Sequence, residues 1–87
     1  MKKRENVVHR LKALPEYFLN VCAGRKCFEI RVDDRDIQPG DTVILLEWTK
    51  ETGYTGAMSR PLRVTYVLRN VPQYGLAEGY CIFCWDN

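Results

Sequence analysis

Polar and apolar residues alternate along several short segments of this chain, and a period of two is the pattern of β-strands. The alternation runs through residues 7–12, 26–32 and 62–69, so that each segment has one mainly apolar side. Two other runs, 42–49 and 80–85, are apolar nearly throughout, and the first is typical of a central strand covered on both faces. The sequence therefore predicts a strand over each of these segments.

One segment follows the spacing of a helix instead. Its apolar residues recur at i, i+3, i+4 and i+7, which lines one helix face, and they are Leu14, Tyr17, Phe18 and Val21. Pro15 suits the first helical turn, and Gly24 suits the left-handed residue that often ends a helix. With residues 51–56 and 70–79 as loops, the predicted order of elements is β-α-β-β-β-β.

The chain has 87 residues, which is enough for one compact domain and no second core. One short helix must help to cover a sheet with two faces and two edges, and closing the sheet into a barrel meets both needs. The predicted fold class is therefore mainly β with one or two short helices (α+β), as a small β-barrel over residues 1–87. Residues 1–6, which include Lys2, Lys3 and Arg4, are predicted to be a flexible basic terminus.

The charge balance argues against one class of function. Lys and Arg number 13 and Asp and Glu number 11, a net charge of +2, which is far from the strongly basic composition of a dedicated duplex-DNA binder. A local basic face for another polyanion stays open. No apolar run is long enough for an export signal or a membrane span, so we expect a cytoplasmic protein without a membrane partner.

Four cysteines leave three interpretations, which are disulfide bonds, a metal site or small buried apolar side chains. A reducing compartment disfavours disulfides. Cys81 and Cys84 have C-x-x-C spacing, but residues three apart in a strand point to opposite faces, so the pair does not easily hold one ion. Buried structural thiols are favoured over metal binding and redox chemistry, and neither a metal nor a cofactor is predicted.

A candidate ligand cleft follows the predicted helix. Lys26 emerges at the start of a strand, and Glu29 and Arg31 project from the face of that strand opposite Phe28 and Ile30. Lysine and arginine suit phosphate or carbonyl oxygens, and a carboxylate accepts a hydrogen bond from the amino group of a base. The alternative is an internal network of ion pairs that only stabilises the fold.

Four further charged or polar residues are candidates for the same cleft. His9 lies on the apolar side of its strand, where most histidines are satisfied core residues, and Lys12 lies on the other side. Asp34 and Arg35 follow the strand of the cleft. They are candidates for ligand contact or, equally, for an ion pair that fixes the loop.

Two aromatic residues beside glycines, Tyr54 and Tyr80, suit stacking on a nucleic-acid base. Packing against a hairpin is the alternative for both. Trp48 and Trp85 are assigned mainly to the core.

Several separated motifs, in this order, resemble those of a small bacterial and phage family of PUA-like domains related to ASCH domains. The motifs are His9–Lys12, Pro15–Phe18, Gly24–Arg31, Asp34–Arg35, Gly40–Asp41, Gly53–Gly56, Val64–Leu68 and Gly75–Tyr80. The resemblance covers residues 7–84 and implies a PUA-like, ASCH-like β-barrel. Because that superfamily binds RNA or modified bases, it also implies RNA or a nucleotide-like small molecule as the partner.

The resemblance leaves a catalytic function open. Some ASCH domains that are similar around Lys26 are amidohydrolases that deacetylate acetylcytidine with a Lys, a Thr three positions later and a distant Glu. Here Lys26 matches the Lys, but Glu29 stands in place of the Thr, which removes the hydroxyl nucleophile. Glu78 is the candidate for the distant acid, and Lys26 with either Glu29 or Glu78 forms a candidate pair for general acid/base hydrolysis by a bound water. A binding module is therefore favoured, with such a hydrolase, or a protein-interaction factor with an exposed apolar surface, as the alternatives.

Overall fold

The computed structural model describes residues 6–86, and it confirms a mainly β fold with one α-helix. The basic run Lys2–Arg4 lies outside the described residues. The elements in chain order are β1 (Val8–Ala13), α1 (Pro15–Cys22), β2 (Phe28–Val32), β3 (Thr42–Thr49), β4 (Gly53–Met58), β5 (Leu62–Arg69), a short 3₁₀ turn (Pro72–Tyr74) and β6 (Tyr80–Trp85).

The strand β4 was not predicted, because residues 51–56 were expected to form a hairpin loop. The strand pairs antiparallel with β3, where Tyr54 lies opposite Trp48 and Gly53 opposite Thr49. Five of its six residues are exposed, so it lacks the buried apolar side by which alternation marks a strand in the sequence. Backbone pairing with a neighbour, rather than side-chain burial, makes this segment a strand. The observed order is therefore β-α-β-β-β-β-β.

The sheet consists of two halves that meet at a short ladder. Its strand order is β1-β3-β5-β6-β2, with β4 paired to the other part of β3. β1 is parallel to β3, and the other pairs are antiparallel. One half contains β1, β3 and β4, the other contains β2, β6 and β5, and the register between β3 and β5 covers Thr42↔Arg63 and Val43↔Leu62. β1 and β2 end this path, so the sheet is open.

The core lies between the two halves and the helix. Val43, Leu45, Leu62 and Val64 of the central strands are essentially inaccessible to solvent. Phe18 and Val21 of α1 are buried in the same cluster, and the inward side chains of β1 and β6 complete it. Each such apolar side chain stabilises the fold by about 1.5–3 kcal/mol. We call the side of each strand that faces this core its inner face and the opposite side its outer face.

The strand β2 turns its apolar side chains toward solvent and its charged side chains toward the core. Phe28, Ile30 and Val32 lie on its outer face and are exposed, whereas Glu29 on its inner face is buried. Arg31, also on the inner face, is partly buried. The alternation of this segment was predictable, but its polar side faces inward.

Candidate functional site

The two free edges of the sheet are joined by arginine side chains. Arg31 on β2 donates from Nη1 to the backbone carbonyl of Lys12 on β1, at 3.2 Å. Arg35, shortly after β2, donates to the carbonyl of Arg10 at 3.4 Å. We call this junction the β1–β2 seam, since guanidinium groups there occupy carbonyls that a further strand would otherwise bind.

Three of the predicted site residues meet at the seam. The Lys26 ammonium contacts Oε1 of Glu29 and also donates to the carbonyl of Phe28 at 2.8 Å. Nη1 of Arg31 lies 3.5 Å from the other carboxylate oxygen, Oε2 of Glu29. Lys26, Glu29 and Arg31 therefore form one connected group, which we call the seam cluster.

The electrostatics of the seam cluster depend on Glu29. This residue is only 7% exposed, and a buried carboxylate is very costly unless it is paired and hydrogen-bonded. The two cations supply that pairing and leave the cluster with a formal surplus of one positive charge. The cluster therefore combines a hydrogen-bond acceptor with two cationic donors in a partly water-excluded place.

Aromatic rings border the cluster on one side. The Lys26 ammonium lies 5.0 Å from the centroid of the Phe28 ring and 5.6 Å from that of Tyr17. Tyr17 is half-exposed on α1, and the neighbouring Phe18 and Val21 anchor the helix in the core. The helix thus holds an aromatic ring near Lys26, where a cation over a ring is favourable.

On the other side of the seam, the side chain of Lys12 lies on the outer face of β1. Its ammonium is 4.3 Å above the centroid of the Trp48 ring on β3. Trp48 is directly opposite Tyr54 on β4, and Tyr54 is 62% exposed. Lys12, Trp48 and Tyr54 thus form a cationic and aromatic row, which we call the aromatic strip. Trp48 is only partly buried and lies outside the core cluster, unlike Trp85, which belongs to it as predicted.

Asp34 and Arg35 lie beside the seam. Oδ1 of Asp34 and Nε of Arg35 are 3.9 Å apart and both side chains are largely exposed, so this ion pair contributes little to stability. Together with Ile30, Arg31 and Val32 they line an open depression of about 380 Å³. The seam therefore has an accessible concave surface next to the seam cluster.

The structure places His9 in the core and not in the seam cluster. Its ring atom Nε2 is 2.9 Å from Oδ2 of Asp41, and the same oxygen accepts the backbone N–H of Gln38 at 2.9 Å. His9 and Asp41 are both buried. The pair connects β1 to the start of β3, which is the structural alternative considered for this histidine. Asp41 could not be recognised as its partner because nothing in the sequence relates two positions so far apart.

Glu78 is not brought to the cluster. It is exposed in the turn before β6, next to Gly79, whose carbonyl accepts the backbone N–H of Asp33 beyond the end of β2. Lys26 precedes the start of β2, and a strand of this length spans about 17 Å at a rise of roughly 3.4 Å per residue. Glu78 therefore belongs to the opposite end of β2 from Lys26.

Tyr80 lies on the other side of the sheet from Glu29. It is directly opposite Val32 in the ladder between β2 and β6, and it is partly exposed on the outer face. It therefore does not line the seam cluster.

One family model, described as a domain of unknown function (DUF3850), matches residues 8–84. The chain belongs to the DUF3850 family. It is also similar to the "Uncharacterized 12.9 kDa protein in GpA 3'region" of Escherichia phage P2, with 42% identity over 43 residues. That match covers 49% of this chain and 39% of the phage protein, so the chain spans well under two thirds of this relative.

Nothing in the sequence indicated a further ion pair of this DUF3850 domain, between Arg69 and Asp33. Arg69 on β5 binds both carboxylate oxygens of Asp33, from Nε at 2.6 Å and from Nη2 at 3.2 Å, and it also donates to the carbonyl of Ile37 at 2.9 Å. The hydrogen bond with Asp33 raises the pKa of Arg69. This forked contact fixes the connection after β2, which carries Arg35 of the seam.

The cysteines of the DUF3850 domain alternate as the strand pattern predicts. Cys81 is buried on the inner face of β6, whereas Cys84 is half-buried on the outer face. Burial is the main cause that raises the pKa of the Cys81 thiol, with the charge of Asp33 adding to it. Within residues 6–86, no three His, Cys, Asp or Glu side chains converge as ligands for one metal ion. The helices in the same range are all too short or too polar to cross a membrane.

Proposed function

We propose that this DUF3850 domain is a PUA-like, ASCH-related module that binds RNA or a nucleotide-like ligand in the cytoplasm, at the β1–β2 seam. The observation that supports this proposal best is the inward orientation of Glu29 on an edge strand whose apolar residues face solvent. In this proposal the seam, where arginine side chains join the two end strands of the open sheet, corresponds to the place where an ASCH-like barrel closes.

Stability alone does not explain this arrangement. Replacing a buried group of ions by well-packed apolar side chains is often neutral or stabilising. Here β2 carries three large apolar side chains, yet the fold turns them outward and keeps the charged ones inside. Departures from the usual pattern, with charged groups inside and apolar groups outside, are expected mainly at functional sites.

The seam cluster offers the hydrogen-bond pattern that a nucleotide needs. The Glu29 carboxylate accepts from a base amino group, while Lys26 and Arg31 donate to carbonyl or phosphate oxygens. In the complex, hydrogen bonds to the ligand would replace the hydrogen bonds that these three side chains make with each other. No charged group would then be left unpaired. The aromatic strip across the seam provides Tyr54 for stacking on a neighbouring base.

The test is an NMR titration of the labelled domain with a short single-stranded RNA of mixed sequence at several salt concentrations. We expect shifts centred on the seam cluster and the aromatic strip. Arg31→Gln should weaken binding roughly 10-fold and lower the salt slope by about one. Arg63→Gln, an exposed cation at the start of β5, is the matched control and should change the affinity little. Equal losses in both variants, or no shifts with any RNA, would contradict the proposal.

The direct contact between Lys26 and Glu29 supports a second candidate, hydrolysis of an N-acylated nucleoside at the same seam. Glu29 would take a proton from water, the oxygen would bond to the acyl carbon, and the C–N bond would break as Lys26 protonates the leaving nitrogen. The products are a carboxylic acid and the free amine. Adding acetylcytidine to the same titration and following acetate release distinguishes the two: turnover that Lys26→Ala abolishes indicates an enzyme, and binding without turnover indicates a module.

A further inference from the structure

The outer face of β2 and β6 carries apolar side chains that the fold leaves uncovered. Phe28, Ile30 and Val32 of β2 are 48%, 56% and 52% exposed. In the ladder, Ile82 of β6 lies directly opposite Ile30, and Cys84 directly opposite Phe28. Directly opposite residues share one face of a sheet, so these side chains form a continuous surface.

β5 extends this surface to a third strand. Tyr66 lies opposite Cys84, and Leu68 lies opposite Ile82. Tyr66 is 60% exposed, and Tyr80, at the end of the surface on β6, is 41% exposed. We call the outward side chains of β2, of β6 and of residues 66–68 of β5 the outer apolar face.

The outer apolar face lies in the upper part of the roughly 300–600 Å² range of the largest apolar patch on a typical monomer, and such patches are often functional. With full side-chain surfaces of about 150–250 Å² for large residues, its five most exposed side chains leave on the order of 500 Å² in contact with solvent. The half-buried Leu68, Ile82 and Cys84 add to this area. It therefore provides most of the roughly 800 Å² per partner that a standard protein interface uses.

We propose that the outer apolar face binds the same face of a second copy of this chain, giving a symmetric dimer by sheet-on-sheet packing. In a two-fold dimer residue i of one copy meets residue j of the other and the reverse, so a charge near the two-fold axis would meet its own copy. The outward positions of β2, of β6 and of residues 66–68 of β5 are uncharged, and the Lys26 ammonium beside Phe28 and the exposed Arg63 lie at the rim of this face. A three-stranded sheet with an apolar centre is also the shape that forms the inner layer of a β-sandwich.

The dimer would stabilise the strand that carries the candidate site. β2 is an end strand, hydrogen-bonded only to β6 among the described strands, and its inner face holds Glu29. The dimer would leave Glu29 uncovered on the inner face, but it would cover Ile30 and Val32, which also line the depression beside the seam. The dimer interface therefore borders the candidate ligand site, and the dimer does not depend on the proposed function.

The test is sedimentation equilibrium of the full chain over concentrations from about 1 µM to about 500 µM, which covers dissociation constants across that range. We expect the wild-type chain to form a dimer. Ile30→Lys should weaken it roughly 100-fold, because each copy would bury an unpaired ammonium in the interface. Tyr66→Lys should act in the same direction from another strand. Leu19→Lys is the matched control, because Leu19 on α1 is 61% exposed and lies outside this face.

Thiol labelling of the wild-type chain over the same range of concentrations is an independent test of the dimer. Cys84 lies on the outer apolar face, whereas Cys22 is exposed on α1. Modification of Cys84 should slow as the dimer forms, and modification of Cys22 should not change. A wild-type chain that stays monomeric over the whole range would overturn the proposal. So would a dimer that Leu19→Lys weakens as much as Ile30→Lys does, provided that far-ultraviolet circular dichroism shows each variant folded.

Discussion

The two halves of the sheet enclose one core but present different outer surfaces. The half with β1, β3 and β4 places the ammonium of Lys12 over Trp48 next to the exposed Tyr54. The half with β2, β6 and β5 exposes apolar side chains, such as Ile30 and Tyr66, without charged residues between them. Cations beside aromatic rings suit a polyanion with bases, whereas an uncharged apolar sheet suits another apolar sheet. The partners proposed for the two halves therefore differ because their outward residues differ.

The largest expected effect concerns the seam cluster, which lies between these halves. Lys26→Met should destabilise the fold by about 3 kcal/mol, because Glu29 would lose the closer of its two cations inside a partly water-excluded site. The double variant Lys26→Met, Glu29→Leu should recover most of that loss, since it removes the buried carboxylate as well. Urea unfolding measures both. A double variant no more stable than Lys26→Met would show that the cluster contributes net stability and would weaken the functional argument.

An effect of intermediate size is expected when one exposed tyrosine is replaced in each half of the sheet. Tyr54 and Tyr66 are exposed to nearly the same extent, at 62% and 60%. Tyr54→Ser should weaken binding of single-stranded RNA roughly 10-fold by removing a stacking surface, and it should leave dimerisation unchanged. Tyr66→Ser should do the reverse. Fluorescence anisotropy and sedimentation of the two variants check this, and an equal effect of both on RNA would remove the distinction between the halves.

The smallest expected effect is a change in the pH dependence of stability, which differs between the two faces of β6. Burial, together with the charge of Asp33, raises the pKa of the Cys81 thiol above its ordinary value of 9.0. The folded chain keeps this proton at pH values where the unfolded chain has lost it. The contribution of the protonated Cys81 thiol to the free energy of unfolding is therefore complete below pH 9.0. It falls as the pH rises beyond that value, by up to about 1.4 kcal/mol per pH unit.

Urea midpoints at pH 8 and pH 10 test this contribution. Cys81→Ala should flatten the fall in stability, whatever cavity it creates, because only the difference between the two pH values is compared. Cys84→Ala, on the outer face of the same strand, should leave the fall unchanged. An equal slope in both variants would mean that other groups control the alkaline loss.

The seam cluster was predictable in part. Glu29 and Arg31 share one side of an alternating strand, and Lys26 lies between the helix end and that strand, so the closeness of the three residues is a local property. His9 and Asp41, or Asp33 and Arg69, come together only through the fold, and no local pattern identifies them as partners. The strand β4 was missed for a similar reason, since it is held by the backbone of β3 and buries little of its own surface.

The sequence by itself determined that this chain forms mostly strands with one helix, because periodicity and the Pro and Gly signals act over a few residues. Only the tertiary structure decided which side of each strand is covered. Alternation gives β2 two sides, but pairing with β6 next to the core turned Glu29 inward and Ile30 outward. That choice depends on the summed packing of distant strands, because the burial of one side chain is worth only about 1.5–3 kcal/mol. A strand can therefore place its charged side inward when the other elements supply the apolar side chains of the core.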